Sequence, residues 1–447
     1  MTKVVTYGTY DLFHEGHYNL LKRAKALGDY LIVGVTSDYF NKCRGKFNVH
    51  DDLMTRIRNV ERTGFADEIV VEEYFGQKID DIKNLKIDIF TVGDDWVGHF
   101  DYLLNEYCKV IYLPRTQGIS STKLRNHNSI RLGIVGNEMI LDRVLDEMKF
   151  VSGLEIRGIY VPDDGDLTDK YKAKKASHLQ RYENFEKMLN EVDAVYLNNP
   201  LRQRFSYIKR AIMANKHVLT EFPFSDKLQE ADEILMLAKQ HGVLVMEALK
   251  TAYCPCFSKL VSLAKSGLIG EILSVDARFT QVLGNELENQ KRIAGGAVQS
   301  LAAYPLLAIF KLLGTDYKEI SFFSHEVKDT DIMTRIQFVF DKAIASAMVA
   351  VDAKAEGNMV IAGTKGYIYV PAPWWKTEYF EVRYEDINKN NKYFYKFEGE
   401  GLRYELVEFV RTIKDDSTGN LLLTAEEMLA ESKVLDLFMK RQRVTFF

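Results

Sequence analysis

Short apolar runs alternate with amphipathic stretches through the first 125 residues of the chain. The apolar runs have the length of β-strands, and the segments between them carry apolar residues at helical spacing. Alternation of this kind predicts a parallel β-sheet that is covered by helices on both faces. The predicted strands are 3–8, 30–35, 68–71, 87–92 and 110–113, and the predicted helices include 16–27 and 53–63.

A polar segment at 125–129 separates this pattern from a second series of strands and helices. From about residue 250 onwards, strand-like runs follow one another with few helices between them. That change predicts an α+β domain with a largely antiparallel open sheet. The fold class is therefore α/β, with two successive parallel-sheet domains before the α+β domain. The predicted domains are 1–128, 129–250 and 251–447.

Composition places the chain among globular proteins. Its 447 residues are 47% hydrophobic and 27% charged with a net charge of −4, so each domain can bury a core and stay soluble. The sequence has no long basic run that would indicate a nucleic-acid partner. The most apolar stretch, 297–314, is too short and too mixed for a membrane span, and the first residues lack a signal-peptide pattern. We therefore expect a cytoplasmic protein.

The end of the first predicted strand carries residue types that bind phosphate. Gly8 permits a tight turn there, and His14 and His17 lie on either side of Gly16 at a helix start. Ligands bind at the carboxyl ends of parallel strands, and helix N-termini and imidazole N–H groups both bind anionic oxygens. Two surface histidines alone would indicate only a helix start. The order strand, glycine, histidines favours a triphosphate site.

A second group of such residue types follows the last strand of the first domain. Arg115 can bind phosphate through two N–H groups, and the hydroxyls of Ser120, Ser121 and Thr122 can donate to phosphate or cap a helix. A surface turn does not need this density of donors. We therefore interpret both groups as parts of one nucleotide site.

Four segments in order, YGTYDLFHEGH, GDYLIVGVTSDYFN, GDDWVGHFDYL and YLPRTQGISSTK, resemble the cytidylyltransferase superfamily. They are most similar to the glycerol-3-phosphate cytidylyltransferases, and the resemblance covers residues 1–125. It implies that the phosphate oxygen of an alcohol phosphate attacks the α-phosphorus of CTP. A CDP-alcohol then forms and magnesium pyrophosphate leaves. Such catalysis depends on positioning and on neutralisation of developing charge.

The resemblance also implies roles for individual residues. The catalytic group would be His14, His17, Lys46 and Arg115. The residues expected to bind CTP or the alcohol phosphate are Gly8, Thr9, Tyr10, Asp11, Arg44, Arg56, Asp94, Trp96, Ser120 and Thr122. Asp11 or Asp94 would contact nucleotide-bound Mg²⁺, or would serve only the turn in which it lies. The alcohol stays open, because family members that act on other alcohol phosphates share much of this pattern.

The later segments RLGIVGNEMI, AVYLNNP, KHVLTEFPFS, GLIGEI and GGAVQSLAAYPL resemble the glucose-fructose oxidoreductase and inositol dehydrogenase family. That family joins a Rossmann domain to an open antiparallel sheet. The resemblance implies dinucleotide binding at Gly133, Gly136 and Asn199, and it places Tyr304 where the family has a histidine or tyrosine. We also expect a homodimer.

Three positions depart from the pattern of this second family. Glu138 replaces a glycine of the phosphate-binding turn, Phe222 replaces a lysine that polarises the reacting oxygen, and Ser300 replaces an acidic residue. A carboxylate about 4 Å from a pyrophosphate costs roughly 4 kcal/mol at an effective dielectric near 20. NAD(P) is therefore a doubtful cofactor, and we expect no measurable binding at micromolar concentrations. Lys250 is a candidate substitute for the lost lysine, on its presence alone.

Two alternatives for the second half stay open. It either reduces a carbonyl precursor to a polyol phosphate that the first domain cytidylates, or it is a non-catalytic binding or dimerisation module. A dinucleotide with its phosphates beside Gly136 would favour the first alternative. By resemblance, the first domain would supply an activated polyol for a surface polymer such as teichoic acid or capsule.

Overall fold

The structure is a computed structural model. It describes residues 1–43, 46, 49–74, 77–98, 100–101, 107–114, 129–136, 139–148, 150–151, 153–162, 179–284, 295–395, 397, 399–415, 419–420 and 422–447. The chain divides into two compact units, one of residues 1–129 and 150–153 and one of residues 130–149 and 154–447. The second unit contains the last two of the predicted domains, whose boundaries stay a prediction.

The first unit is built on a parallel sheet with the strand order β3-β2-β1-β4-β5. The strands are β1 Lys3–Gly8, β2 Tyr30–Thr36, β3 Glu68–Glu72, β4 Ile89–Gly93 and β5 Lys109–Leu113, and the helices are α1 Glu15–Lys25, α2 Asp38–Cys43, α3 Leu53–Glu61 and α4 Gln77–Leu85. The strands lie within two residues of their predicted positions. The strand order reverses between β1 and β4, which is where open α/β sheets bind ligands.

Both faces of this sheet are covered, which explains why its strands are almost continuously apolar. Val4 packs in one buried cluster with Leu21 of α1, and its neighbour Val5 packs in another with Ile82 of α4. Successive side chains of a strand point to opposite faces. The two clusters therefore fix the sheet between helices and hold its carboxyl edge in place.

The second unit begins with another parallel sheet, in the order β11-β10-β9-β6-β7-β8. The strands are β6 Ile130–Gly136, β7 Leu154–Tyr160, β8 Gln180–Arg181, β9 Ala194–Asn198, β10 His217–Thr220 and β11 Val245–Glu247, and the helices are α5 Met139–Met148, α6 Phe185–Leu189, α7 Leu201–Met213 and α8 Leu228–His241. This strand order reverses between β6 and β9. Residues 163–178, between β7 and β8, lie outside the described residues.

The rest of the second unit is a mixed sheet in the order β19-β18-β17-β16-β12-β15-β14-β13-β20. The strands are β12 Ile272–Thr280, β13 Glu319–Val327, β14 Thr330–Val339, β15 Ile344–Ala350, β16 Met359–Gly363, β17 Tyr367–Val370, β18 Tyr379–Arg383, β19 Asn391–Phe394 and β20 Val444–Phe446. Two pairs, β12 with β15 and β13 with β20, are parallel, and the other pairs are antiparallel. The predicted largely antiparallel sheet is therefore confirmed.

Helices pack on this third sheet and join it to the second. They are α9 Lys250–Tyr253, α10 Pro255–Lys265, α11 Ala297–Leu301, α12 Ala303–Leu313, α13 Leu402–Lys414 and α14 Ala425–Met439. Helix α12 contacts β12 and α14 and is buried along most of its length, which accounts for its apolar sequence. Within the described ranges, no helix has the length and apolar character to cross a membrane.

Candidate functional site

The first candidate site lies at the carboxyl edge of the first sheet, where β1 and β4 end side by side. Tyr10 and Leu12 have left-handed backbone conformations, with φ of 54° and 46°, and turn the loop after β1 sharply. A Cβ at Gly8 would lie 2.9 Å from Cζ of the buried Tyr10 ring. Glycine at the end of β1 therefore leaves room for the ring that supports this turn.

The two histidines stand at the N-terminus of α1, as the sequence predicts. His14 is the N-cap residue, and its Nδ1 accepts the N–H of Gly16 at 3.0 Å. The rings of His14 and His17 stack with centroids 4.0 Å apart and an interplanar angle of 18°. Because Nδ1 of His14 is an acceptor, its neutral ring carries the proton on Nε2. That N–H and the helix N-terminus suit an anionic ligand.

Asp11 fastens this loop to the segment before α3. Its carboxylate is buried, and Oδ1 accepts the N–H groups of His50 and Asp51, each at 2.9 Å. Asp51 in turn accepts the N–H of Leu12 at 3.1 Å. Asp94 is instead exposed directly after β4. Of the two candidates, Asp94 therefore fits nucleotide-bound Mg²⁺ better, and Asp11 serves the turn.

The structure places Arg56 differently from our expectation of a substrate contact. Its side chain is fully buried, and Nη1 donates to the carbonyl oxygens of Thr9 and Thr36 at 2.8 and 2.7 Å. Nε donates to the carbonyl oxygen of Asp51 at 2.9 Å, and Nη2 pairs with Asp38. The guanidinium therefore joins the ends of β1 and β2 to α3, which indicates a positioning residue.

Lys46 reaches the same loop. Its Nζ donates to Oγ1 of Thr9 at 3.2 Å, and that hydroxyl donates to Oδ1 of Asn41 at 3.1 Å. Trp96 is partly exposed after β4, with its ring 5.9 Å from that of Phe100. The other predicted residues of this site, Arg44, Arg115, Ser120 and Thr122, lie outside the described residues. Sequence reasoning missed Asn41, which ends the segment GDYLIVGVTSDYFN, and Asp51, which lies outside the four matched segments.

The second candidate site lies at the carboxyl edge of the second sheet. Gly136 ends β6 with φ of 128°, and a Cβ there would collide with the carbonyl oxygen of Asn198. Asn199 is 2% exposed, and among the described residues neither polar atom of its side chain has a hydrogen-bond partner. A buried amide without partners is costly. Both residues therefore fit a nucleotide that binds between β6 and β9.

Gly133 does not lie at the carboxyl edge of the second sheet. It stands inside β6, where a Cβ would lie 2.7 Å from Sδ of Met188 in α6. It therefore allows α6 to pack closely on the sheet, and the structure does not bring it to the edge with Gly136. Glu138, whose carboxylate we expect to oppose a pyrophosphate, lies outside the described residues.

Segments after β10 and β11 leave the sheet side by side, since Ala248 donates its N–H to the carbonyl oxygen of Thr220 at 2.7 Å. Glu221 and the half-buried Phe222 follow β10, and Lys250 follows β11. Arg204, which sequence reasoning missed, fixes this edge. Its guanidinium donates to the carbonyl oxygens of Asn199 at 2.9 Å, Glu221 at 3.0 Å and Pro223 at 2.6 Å, and burial lowers its pKa.

Ionisable side chains from several elements converge at this edge. Tyr304 of α12 interacts electrostatically with Glu221 and Glu405, and its ring meets Phe279 edge-on at 5.0 Å. Glu405 of α13 is buried, and burial raises its pKa. Burial lowers the pKa of Lys250, against the opposing effect of Glu405. Ser300 is not part of this group, because its hydroxyl donates to the carbonyl oxygen of Gly296 at 2.6 Å.

The first domain is similar to known cytidylyltransferases. A family model described as cytidylyltransferase-like matches residues 5–127. Glycerol-3-phosphate cytidylyltransferase of Bacillus spizizenii is 52% identical over 125 residues, which are 28% of this chain and 95% of that protein. The corresponding protein of Staphylococcus aureus is 45% identical over 125 residues, 28% of this chain and 93% of its own length.

The second half matches two further family models. One is the oxidoreductase family with an NAD-binding Rossmann fold, over residues 130–249, and the other is the GFO/IDH/MocA C-terminal domain, over residues 257–369. The 3-ketoreductase KijD10 of Actinomadura kijaniata, solved with NADP and TDP-benzene, has a TM-score of 0.62 at 20% identity over 72% of this chain and all of that one. At that identity the likeness shows the fold. The chain therefore belongs to the cytidylyltransferase-like family through its first domain, which is fused to oxidoreductase domains of the GFO/IDH/MocA type.

Proposed function

We propose that the first domain transfers CMP from CTP to a small polyol phosphate, with glycerol-3-phosphate as the first candidate. The observation that carries this proposal is the stacked pair His14 and His17 at a helix N-terminus, on the sheet edge where the strand order reverses. A phosphate oxygen of the alcohol phosphate forms a bond to the α-phosphorus. The bond from that phosphorus to the pyrophosphate oxygen breaks, and a CDP-alcohol and pyrophosphate result.

Each residue of the site has a task that its position allows. His14 and His17 donate N–H groups to the triphosphate, and Lys46 adds positive charge from the other side of the loop. Arg115, Ser120 and Thr122 complete the phosphate contacts by resemblance. Mg²⁺ bound with the nucleotide would neutralise charge on the leaving pyrophosphate, and Asp94 is the residue we assign to it.

A panel of alcohol phosphates tests this proposal. Pyrophosphate release is measured with CTP and, in turn, glycerol-3-phosphate, ethanolamine phosphate and a five-carbon polyol phosphate. We expect turnover with CTP and one polyol phosphate, and little turnover when ATP or GTP replaces CTP. Equal release with ATP would show that the transferase class is right and the base is wrong. Release with none of the alcohols would reject the proposal.

We infer a second activity in the second unit, the reduction of a carbonyl compound by a nicotinamide dinucleotide. The specific support is the unpartnered buried amide of Asn199 beside Gly136. The product would be the polyol phosphate that the first domain consumes. The competing hypothesis is a non-catalytic binding or dimerisation module. Oxidation of millimolar NADPH in the presence of dihydroxyacetone phosphate decides between them, since the second hypothesis requires that no dinucleotide is consumed.

We further propose that the protein acts in the cytoplasm as a homodimer and supplies an activated polyol for a surface polymer such as teichoic acid or capsule. The names of the bacterial relatives support only the cytidylyl transfer. Light scattering of the purified chain tests the dimer, which is rejected if the measured mass is that of one 51.4 kDa chain.

A further inference from the structure

Phe222 is the strongest sequence argument against reduction in the second unit, because an apolar ring cannot polarise a carbonyl oxygen. The structure shows a cation one strand away. Thr220 and Glu247 are register partners at the ends of β10 and β11. Phe222 lies two residues after Thr220. Lys250 lies three residues after Glu247, where α9 begins. The two positions therefore belong to adjacent segments at one edge of the sheet.

We propose that Lys250 is the catalytic residue that donates a proton to the carbonyl oxygen of a hydroxyketone phosphate in this unit, in place of the family lysine lost at Phe222. This inference rests on the reductase activity proposed above. It adds the residue that acts on the substrate and the chemical class of that substrate.

Contacts with neighbouring segments fix Lys250 and the helix that it begins. Thr251 fixes helix α9 to the segment between β17 and β18, because its hydroxyl donates to the carbonyl oxygen of Trp375 at 2.6 Å. Gly401, with φ of 89°, lies against the lysine stem, and a Cβ there would be 3.0 Å from Cδ of Lys250. A side chain at 401 would compete with this stem. The indole of Trp375 stacks on Phe279 at 3.9 Å, next to Tyr304.

The charges around Lys250 suit a proton donor. Burial and the positive charges of Lys376 and Arg143 lower its pKa, while Glu405 and Glu400 raise it. Glu405 is 1% exposed, and its Oε1 has no hydrogen-bond partner among the described residues. A lysine with a lowered pKa is a stronger acid at neutral pH. Glu405 links Lys250 to Tyr304, because both interact with the same carboxyl group.

The proposed step is balanced. A reduced nicotinamide dinucleotide, when bound, supplies a hydride for the carbonyl carbon, and is oxidised by two electrons as the carbonyl is reduced by two. The π bond of the C=O group is replaced by a C–H bond and an O–H bond. The new O–H proton comes from the Lys250 ammonium group, which becomes a neutral amine and is reprotonated from solvent.

Activity and a direct observation of the lysine test the inference together. Reduction of dihydroxyacetone phosphate is followed with millimolar NADH or NADPH for the unmodified protein, for Lys250→Met and for Lys239→Met, a matched control at an exposed lysine of α8. We expect kcat to fall about 10²-fold or more in Lys250→Met and to be unchanged in Lys239→Met. The double variant Phe222→Lys, Lys250→Met should recover part of the lost rate.

Reductive ¹³C-methylation gives the readout that does not depend on turnover. We expect the NMR signal that disappears in Lys250→Met to titrate at lower pH than is ordinary for a lysine, and to shift when dihydroxyacetone phosphate is added. Pyrophosphate release from CTP and fluorescence of Trp374 and Trp375 check that both units are folded. Unchanged reduction by Lys250→Met would overturn this inference alone. No reduction by the unmodified protein would overturn the reductase proposal as well.

Discussion

The histidine and arginine side chains of the first unit differ in what surrounds them, and this difference distinguishes residues placed to contact a ligand from residues that hold the fold together. His14 and His17 are half-buried at the sheet edge, where their rings stack on each other. Arg56 is fully buried and its donors are directed to carbonyl oxygens of three segments. Loss of a histidine should therefore reduce turnover, whereas loss of Arg56 should reduce stability first.

Substitution His17→Ala should lower kcat for pyrophosphate release about 10²-fold or more, because an electrostatic donor to the transition state is removed. His50→Ala is the matched control, since His50 is an exposed histidine of the same unit. Circular dichroism should show both variants folded. Near-normal turnover of a folded His17→Ala protein would reject the assigned role.

Substitution Arg56→Leu should destabilise the first unit by about 1–3 kcal/mol, the cost of leaving buried carbonyl oxygens without donors. Arg56→Lys should recover only part, because one ammonium group cannot reach all the acceptors of the planar guanidinium. Urea unfolding, followed through the fluorescence of Trp96, measures both. A variant with unchanged stability but a raised KM for CTP would instead place Arg56 on the nucleotide.

At the scale of elements, the residues that shape the candidate sites lie at the ends of strands rather than in their interiors. Gly136 ends β6 in a backbone conformation that L residues rarely adopt, and it lies against the backbone of the neighbouring strand end at Asn198. Gly242, at the end of α8, also has a positive φ of 66°, but a Cβ there would contact nothing within 4 Å. Comparing substitutions at Gly136 and Gly242 therefore separates the cost of backbone strain from the cost of a steric collision.

Substitution Gly136→Ala should therefore destabilise the second unit by about 3 kcal/mol or more, because strain and overpacking add. Gly242→Ala should cost only about 1–2 kcal/mol, the cost of a left-handed alanine. Thermal unfolding compares the two variants under one buffer. Equal losses in stability would show that β6 and β9 can separate enough to admit a methyl group.

At the scale of the whole molecule, each of the two units carries a candidate nucleotide site at the edge of a parallel sheet. In the first, His14 and His17 stand together at a helix N-terminus, whereas the second combines a fitting cradle at Gly136 and Asn199 with a carboxylate at position 138 of the sequence. By the resemblance, the like charge of Glu138 would oppose a pyrophosphate at this turn. We therefore expect weak dinucleotide binding rather than a lost site.

The double variant Glu138→Gly, Phe222→Lys should bind NADPH more tightly than the unmodified protein, up to about a thousandfold if the roughly 4 kcal/mol charge penalty is removed. Titration followed by NADPH fluorescence measures the change. Asp232→Lys, at an exposed position of α8, changes the net charge by the same amount and should leave affinity unchanged. Saturable micromolar binding to the unmodified protein would contradict the predicted penalty.

The sequence alone determined the strands of the first parallel sheet, because each is an apolar run covered on both faces, and it determined the histidine pair, because both histidines lie within one local motif. Short or edge strands such as β8 and β19 were not predicted, since their exposed residues carry no apolar signal.

Only the tertiary structure shows what surrounds Arg56, Asp11 and Lys250. Arg56 contacts Thr9 and Thr36, which are 47 and 20 positions away, and Lys250 meets Glu405 through the packing of α9 and α13. Local spacing encodes which face of an element is apolar, but not which distant polar group will lie opposite a charge. Burial and partners, which decide what a charged side chain does, exist only once the sheets have assembled.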